Sequence, residues 1–376
     1  RGHVDGRNVL HISERIEQLA EAESIAIFEA DHIIKKARET LFQAREKRPK
    51  PARDEKIITA WNGLMITALA HGALVLGDSS YLDSATRSAD FIWSRQWDAE
   101  TRKLLRVYKD GQSKINGCLD DYAYFLQGLL ALYEAGLDSK WIARAKDLAN
   151  AMIAEFWDEK EGGFFLSGQS GEQLISKLKN PADEALPSAN AVAALVLLQL
   201  GRLTGEETYT QKAEETLQAF QAMMERSPAG FTGLLSAMSA LNLPPVEVVF
   251  AGPRDHSSFD EMLKVLHTDY RPNKVVIWNE KEFTGDLLPL TQGKTAEKGE
   301  PTVYLCQKNT CHAPVQSGKA LDKLLDRPQE IRLNIFDQEK KNAKILEQEQ
   351  ANFMGVMGNI FQQVGIQKPP TNREDK

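Results

Sequence analysis

Three stretches of related character follow one another along this chain at intervals of roughly 60 to 70 residues, and each is a pair of helices joined by a short turn. The first pair covers 54–76 and 79–97, the second 119–135 and 139–157, the third 185–203 and 206–224. An acidic residue marks every turn, at Gly77-Asp78, Leu137-Asp138 and Gly205-Glu206. Within each pair the first helix is apolar nearly all round and the second is amphipathic, which sends the first inward and the second to the surface. The pattern predicts an inner and an outer ring of helices. Ala85, Ala145 and Ala213 recur at equivalent points of the outer helices, where a small side chain permits close approach. After the first two outer helices, Trp97-Asp98 and Trp157-Asp158 lead into short extended stretches, "KLLRVY" and "GGFFLS", each expected to form a β-hairpin at the rim.

Outside the repeat the character changes twice. Residues 12–47 place Ile16, Leu19, Ile27, Ile34 and Leu41 at broadly helical spacing, predicting one long amphipathic helix that ends a preceding hairpin. Beyond Leu243-Pro244-Pro245, two β-branched runs at 246–252 and 274–278 flank a helical 257–267. This reads as a β-α-β unit, with 302–306 as a third strand. Phe353, Val356, Met357, Ile360, Phe361 and Val364 form one face of a terminal helix after a charged linker. The expected fold class is therefore mainly α, an α/α hairpin toroid, with a small C-terminal α/β segment. The expected domains are 1–243, 244–335 and 336–376.

A net charge of −7, with both signs mixed along the whole length, offers no basic face for nucleic acid. The apolar stretches 192–198 and 64–76 are too short or too mixed to predict a membrane span, and no signal-peptide pattern opens the chain. Three cysteines are too few for a disulfide framework, so a reducing, cytoplasmic setting is expected, with Cys306 and Cys311 as a reduced pair there, or as a disulfide if the protein is exported. The chain starts at Arg1, and an upstream segment is expected.

The stretches "GRNVLHI", "DEKIITAWNGLMITALA", "LLRVYKDG", "LDDYAYFLQGLLALYEA", "FWDEKEGGFFLS", "PSANAVAALVLLQLGRLTG", "PNKVVIW" and "CQKNTCHAPV" follow in order from about residue 2 to residue 320. In that order and spacing the sequence resembles the C-terminal half of the spermatogenesis-associated protein 20 family. The family pairs an N-terminal thioredoxin-like domain with a toroid similar to the six-hairpin glycosidases and sugar 2-epimerases. The resemblance implies an (α/α)6 barrel and, by fold analogy alone, a carbohydrate-type pocket. The thioredoxin-like domain and the first part of the toroid have no counterpart here, so the missing half or another chain is an expected partner. A partial ring exposes apolar flanks, and the chain is expected to associate.

Inner helices of such a ring run parallel, so their N-termini converge on one rim. The sequence places Asp54 and Glu55, then Asp120, Asp121 and Tyr122, then Asn190 at those ends, with Trp61 and Asn62 just inside the first helix. Glycoside chemistry needs two carboxyl groups flanking one bond, one protonated and one ionised. Asp54 or Glu55 with Asp120 or Asp121 would supply the pair. Trp61, Asn62, Tyr122 and Asn190 would contact a carbohydrate-like ligand. The plainer reading stands beside this one, because Asp and Glu at helix N-termini cap free N–H groups without any catalysis. Only one of two adjacent carboxylates can cap, which favours function for Asp121 over Asp120. Epimerase chemistry uses histidines, and His71 is the only one on an inner helix, at its far end. Cys306, Cys311 and His312 lack a fourth ligand for a metal, and Cys118 lacks a base, so neither metal, cofactor nor thiol nucleophile is predicted. The turn "AGPRDHSS" lacks a Gly-rich fingerprint for nucleotide. The leading expectation is a sugar-active domain; the alternative is a non-catalytic scaffold working with a thioredoxin-like domain.

Overall fold

The computed structural model describes residues 14–171, 176–268, 271–279, 287–307 and 310–325, together with the backbone of two short strands near the start. The terminal helix expected at 353–364 lies outside the described residues. The chain falls into two compact units, Arg1–Lys56 and Ile57–Lys376.

In the first unit β1 (His3–Val4) pairs antiparallel with β2 (Arg7–Asn8), followed by α1 (Ile16–Ala22) and α2 (Ile27–Glu46). The single helix predicted across 12–47 is broken at Ser24, which adopts a left-handed φ of 54°. Ile25 N–H donates to Ala20 O at 3.0 Å across that residue, closing α1 before α2 begins. Periodicity continues across the break, which is why the pattern alone does not reveal it.

The second unit opens with β3 (Ile57–Ile58) and the first hairpin, α3 (Thr59–Leu76) and α4 (Ser79–Arg95). Then come β4 (Trp97–Asp98), β5 (Lys103–Lys109) and β6 (Gln112–Asn116). The second hairpin is α5 (Leu119–Gly136) with α6 (Lys140–Phe156), and the third is α7 (Ala189–Thr204) with α8 (Glu207–Ala219). Two shorter helices follow, α9 (Gln221–Arg226) and α10 (Thr232–Asn242). α3 and α7 stop at Gly77 and Gly205, each with a left-handed φ of 70° that glycine adopts without steric cost.

The inner helices pack in sequence, α3 on α5, α5 on α7, and α7 on α10. Contact is closest between α3 and α5, where a Cβ on Gly63 would lie 2.5 Å from the Tyr124 carbonyl carbon. Ala85, Ala145 and Ala213 are completely buried, as the repeat predicts. The third outer helix, predicted to run to 224, instead breaks at Phe220, whose buried ring packs over Gly163. That turn leads to α10, an inner helix that the sequence pattern does not disclose. α5 and α7 are buried along most of their length. By contrast α3, long and apolar enough by composition to cross a membrane, is only partly covered and leaves Trp61, Met65, Val75 and Leu76 exposed.

β5 is the centre of the first excursion, pairing antiparallel with β3, β4 and β6. Among the described residues the second excursion shows a single bridge, Trp157 to Phe164. The α/β part comprises β7 (Val246–Ala251), α11 (Ser257–Thr268), β8 (Lys274–Asn279), β9 (Thr302–Gln307), β10 (Thr310–Cys311) and α12 (Gly318–Leu324). Its strand order is β10-β9-β7-β8, with β7 parallel to β8 and antiparallel to β9. Lys274 meets Glu134 of α5 at 2.7 Å, and Arg202 of α7 bonds Asn273 and the Ala240 carbonyl. The change of character at 244 thus lies within the second unit. Cys306 and Cys311, expected reduced, form a disulfide, because β9–β10 register sets them directly opposite with Cα atoms 4.0 Å apart.

Candidate functional site

The N-terminal ends of α3 and α5 are held side by side by one side chain. Asp121, in the first turn of α5 and completely buried, accepts the Ala60 N–H of α3 at Oδ1 (2.9 Å). Its Oδ2 accepts the Cys118 N–H (3.0 Å), the Cys118 thiol (3.3 Å) and Nη1 of Arg106 on β5 (2.7 Å). A buried carboxylate with four donors, one of them charged, is stabilised where it stands. Asp121 therefore ties helix, helix and strand together.

Asp120 differs from its neighbour in burial. It is half-buried in the same first turn. Burial, and after it the charge of Asp121, push its carboxyl above the usual carboxylate range, with Arg106 opposing. One residue along from the bonded Ala60, the Trp61 indole stands 61% exposed. A carboxyl inclined to hold its proton and an open aromatic face thus flank one junction. Asn62, half-buried, donates back to Ile58 O at 2.9 Å.

The remaining candidates are engaged elsewhere. The Tyr122 hydroxyl accepts Leu104 N–H at 2.8 Å, its ring packs edge-on to Phe156, and burial pushes it up to about 12. Asn190 is completely buried, and its amide both accepts Phe164 N–H (2.8 Å) and donates to Phe164 O (3.0 Å), fixing the second excursion against α7. Asp54 and Glu55 belong to the first unit, exposed, with Lys56 at 3.0 Å from the former and Arg53 at 2.6 Å from the latter. The Cys118 thiol is pushed up to about 12 by burial and by Asp121, so it is protonated at neutral pH. His71 lies in the C-terminal half of α3, away from this end. Among the described residues, no group of three or more His, Cys, Asp or Glu is arranged to hold a metal.

Two contributors escaped the sequence reading. Arg106 sits in β5 between Lys103 and Lys109, where a cation ordinarily signals an exposed face. Asp183, in the loop before α7, accepts Ser188 N–H (2.9 Å), Thr232 Oγ1–H (3.0 Å) and Gly233 N–H (2.8 Å). It joins the start of α7 to the start of α10. The only advance signal for it is an acidic residue five positions ahead of the capping Ser188. Tyr124 adds a further tie, donating its hydroxyl to Pro187 O at 2.5 Å.

No protein-family model matches the chain. Human spermatogenesis-associated protein 20 is 32% identical over 337 residues, covering 86% of this chain and 43% of that protein. Uncharacterized protein B0495.5 of Caenorhabditis elegans is 26% identical over 332 residues, covering 87% of this chain and 45% of that protein. The chain therefore spans less than half the length of the curated relatives it matches. Among solved structures, a sugar epimerase from a ruminal bacterium matches at a TM-score of 0.39 and 15% identity, over 46% of this chain and 45% of that one. A GH76 α-mannanase, BT2949 of Bacteroides thetaiotaomicron, matches at 0.38 and 18% identity, over 46% and 47%.

Proposed function

We propose, for a chain related over 86% of its length to spermatogenesis-associated protein 20, a carbohydrate-binding role centred on the joined N-terminal ends of α3 and α5, with Asp120 as proton donor. The observation that carries this reading is the contrast between two adjacent carboxylates. A general acid must keep its proton near the working pH, and burial beside a fixed carboxylate is the usual means of achieving that. Asp120 has such surroundings, whereas the oxygens of Asp121 are occupied by four donors. The paired-carboxylate arrangement expected from the sequence narrows at this junction to one acid. Trp61 supplies an apolar face suited to the C–H side of a sugar ring.

The test is an NMR titration of the whole chain with cellobiose, maltose and mannobiose. The reading expects shifts at the Trp61 indole and in the first turn of α5. W61A should abolish the shifts, while D120N should keep binding and lose any turnover. Disaccharides that leave both places unperturbed would overturn it.

A scaffold role is the second reading, favoured by Met65, Val75 and Leu76 standing exposed on α3. Apolar side chains grouped on one helix flank are the usual mark of an interaction surface. Light scattering that finds a monomer at all concentrations would count against it.

A further inference from the structure

We infer that the Cys306–Cys311 disulfide is a thiol–disulfide exchange site, at which an incoming thiolate bonds to Cys311 and Cys306 serves as the leaving thiol. The bond lies at the margin of the α/β sheet, where β10 is the terminal strand in the order β10-β9-β7-β8. His312 N–H donates to Leu305 O at 2.9 Å, so Cys306 and Cys311 occupy the non-hydrogen-bonded pair between those residues, where antiparallel strands bring Cα atoms closest.

The sheet does not depend on the sulfur bridge for its register. Val303 and Val315 exchange both backbone hydrogen bonds, at 2.8 and 3.0 Å, and hold the returning chain against β9. The cysteines are 5 positions apart, and a loop that short constrains the unfolded chain least. A bond that staples little, on an exposed edge, belongs with the labile disulfides rather than the structural ones.

The two sulfurs are not equivalent. Cys306 is 6% exposed within β9, whereas Cys311 is exposed on β10. Attack from solvent therefore falls on Cys311. A dithiol reductant supplies the electrons. One of its thiolates bonds to Cys311 Sγ, the S–S bond breaks, and Cys306 departs with the electron pair and takes up a proton. The second thiol of the reductant then attacks its own sulfur in the mixed disulfide, and Cys311 leaves and is protonated in turn. Two electrons and two protons pass to the cysteine pair, and the dithiol ends as a disulfide.

The experiment treats the whole chain with graded dithiothreitol, alkylates it, and maps each cysteine by peptide mass, which separates Cys118 from the pair. The bond should open while far-UV circular dichroism stays unchanged. Oxidised glutathione should add to Cys311 of C306S roughly 10-fold or more faster than to Cys306 of C311S. A short iodoacetamide pulse on the reduced, unsubstituted chain should show the same order, which keeps the test independent of how the variants fold. A bond that opens only with unfolding, or equal rates at the two cysteines, overturns the inference.

Discussion

At the α3/α5 junction Asp121 receives the N–H of Ala60, the second residue of α3; at the α7/α10 junction Asp183 receives the N–H of Gly233, the second residue of α10. Both carboxylates satisfy a free helix-start donor and so fasten neighbouring inner helices. They differ in surroundings. Asp121 is completely buried and paired with Arg106, whereas Asp183 is half-buried and held by uncharged donors alone. Full burial of a carboxylate calls for a cation, and the charge held there then acts on the next carboxylate along. Both junctions have such a neighbour, but Glu184 beside Asp183 is exposed, whereas Asp120 beside Asp121 is half-buried. Removing one partner of a buried pair strands the other, so D121A should cost about 3–5 kcal/mol in urea unfolding. If the loss is no greater than for D183A, the two junctions are energetically equivalent and burial is not what separates them.

D183A should cost less, about 1–3 kcal/mol, by leaving Ser188, Thr232 and Gly233 without their acceptor. Burial works to raise the Asp183 carboxyl, but the hydrogen bonds from Ser188, Gly233 and Thr232 outweigh it and hold the group below the usual carboxylate range. The folded chain therefore binds that proton more weakly than the unfolded chain. The stability Asp183 contributes is present above the ordinary aspartate value, about 4, and is lost as pH falls through the lower folded value. Unfolding curves of D183N and the unsubstituted chain should converge as pH drops below that range. Curves that stay parallel in acid would place the pH dependence elsewhere.

The contrast between these junctions could not have been read from the sequence, although the hairpins that create them could. Periodicity is a local property, so the three helical pairs, their glycine and acidic turns and the fully buried Ala85, Ala145 and Ala213 all appear in the order of residues. The break at Ser24 leaves the apolar spacing nearly undisturbed and is invisible to it. α10 is short and small-residued, and is recognisable only once Phe220 has turned the chain inward. The disulfide depends on the register of two strands, and register is a pairing property that residue counts do not carry. At the rim, the sequence locates Asp120, Asp121, Tyr122 and Asn190 at helix starts. What separates them is tertiary: Arg106 arrives from β5, Phe164 from the second excursion and Leu104 from beside Tyr122.

The smallest effect bears most directly on function. The Asp120 carboxyl is raised by burial first and by Asp121 second, so the folded chain holds its proton more tightly than the unfolded chain does. Its contribution to stability is full below the unfolded value and falls as pH rises towards and through the folded one. D120N removes the charge while keeping the shape. It should match the unsubstituted chain in acid and exceed it at pH 7 by about 0.5 kcal/mol or less, given solvent access to the site. W61A, at an exposed indole, should change stability by no more than about 0.5 kcal/mol. A residue kept at some cost to stability, beside an aromatic that stabilises nothing, is what a ligand site at the α3/α5 junction requires. If D120N is instead less stable at pH 7 by about 1 kcal/mol, Asp120 caps α5 in the ordinary way. The two junctions would then be variants of one structural fastening, with no functional difference between them.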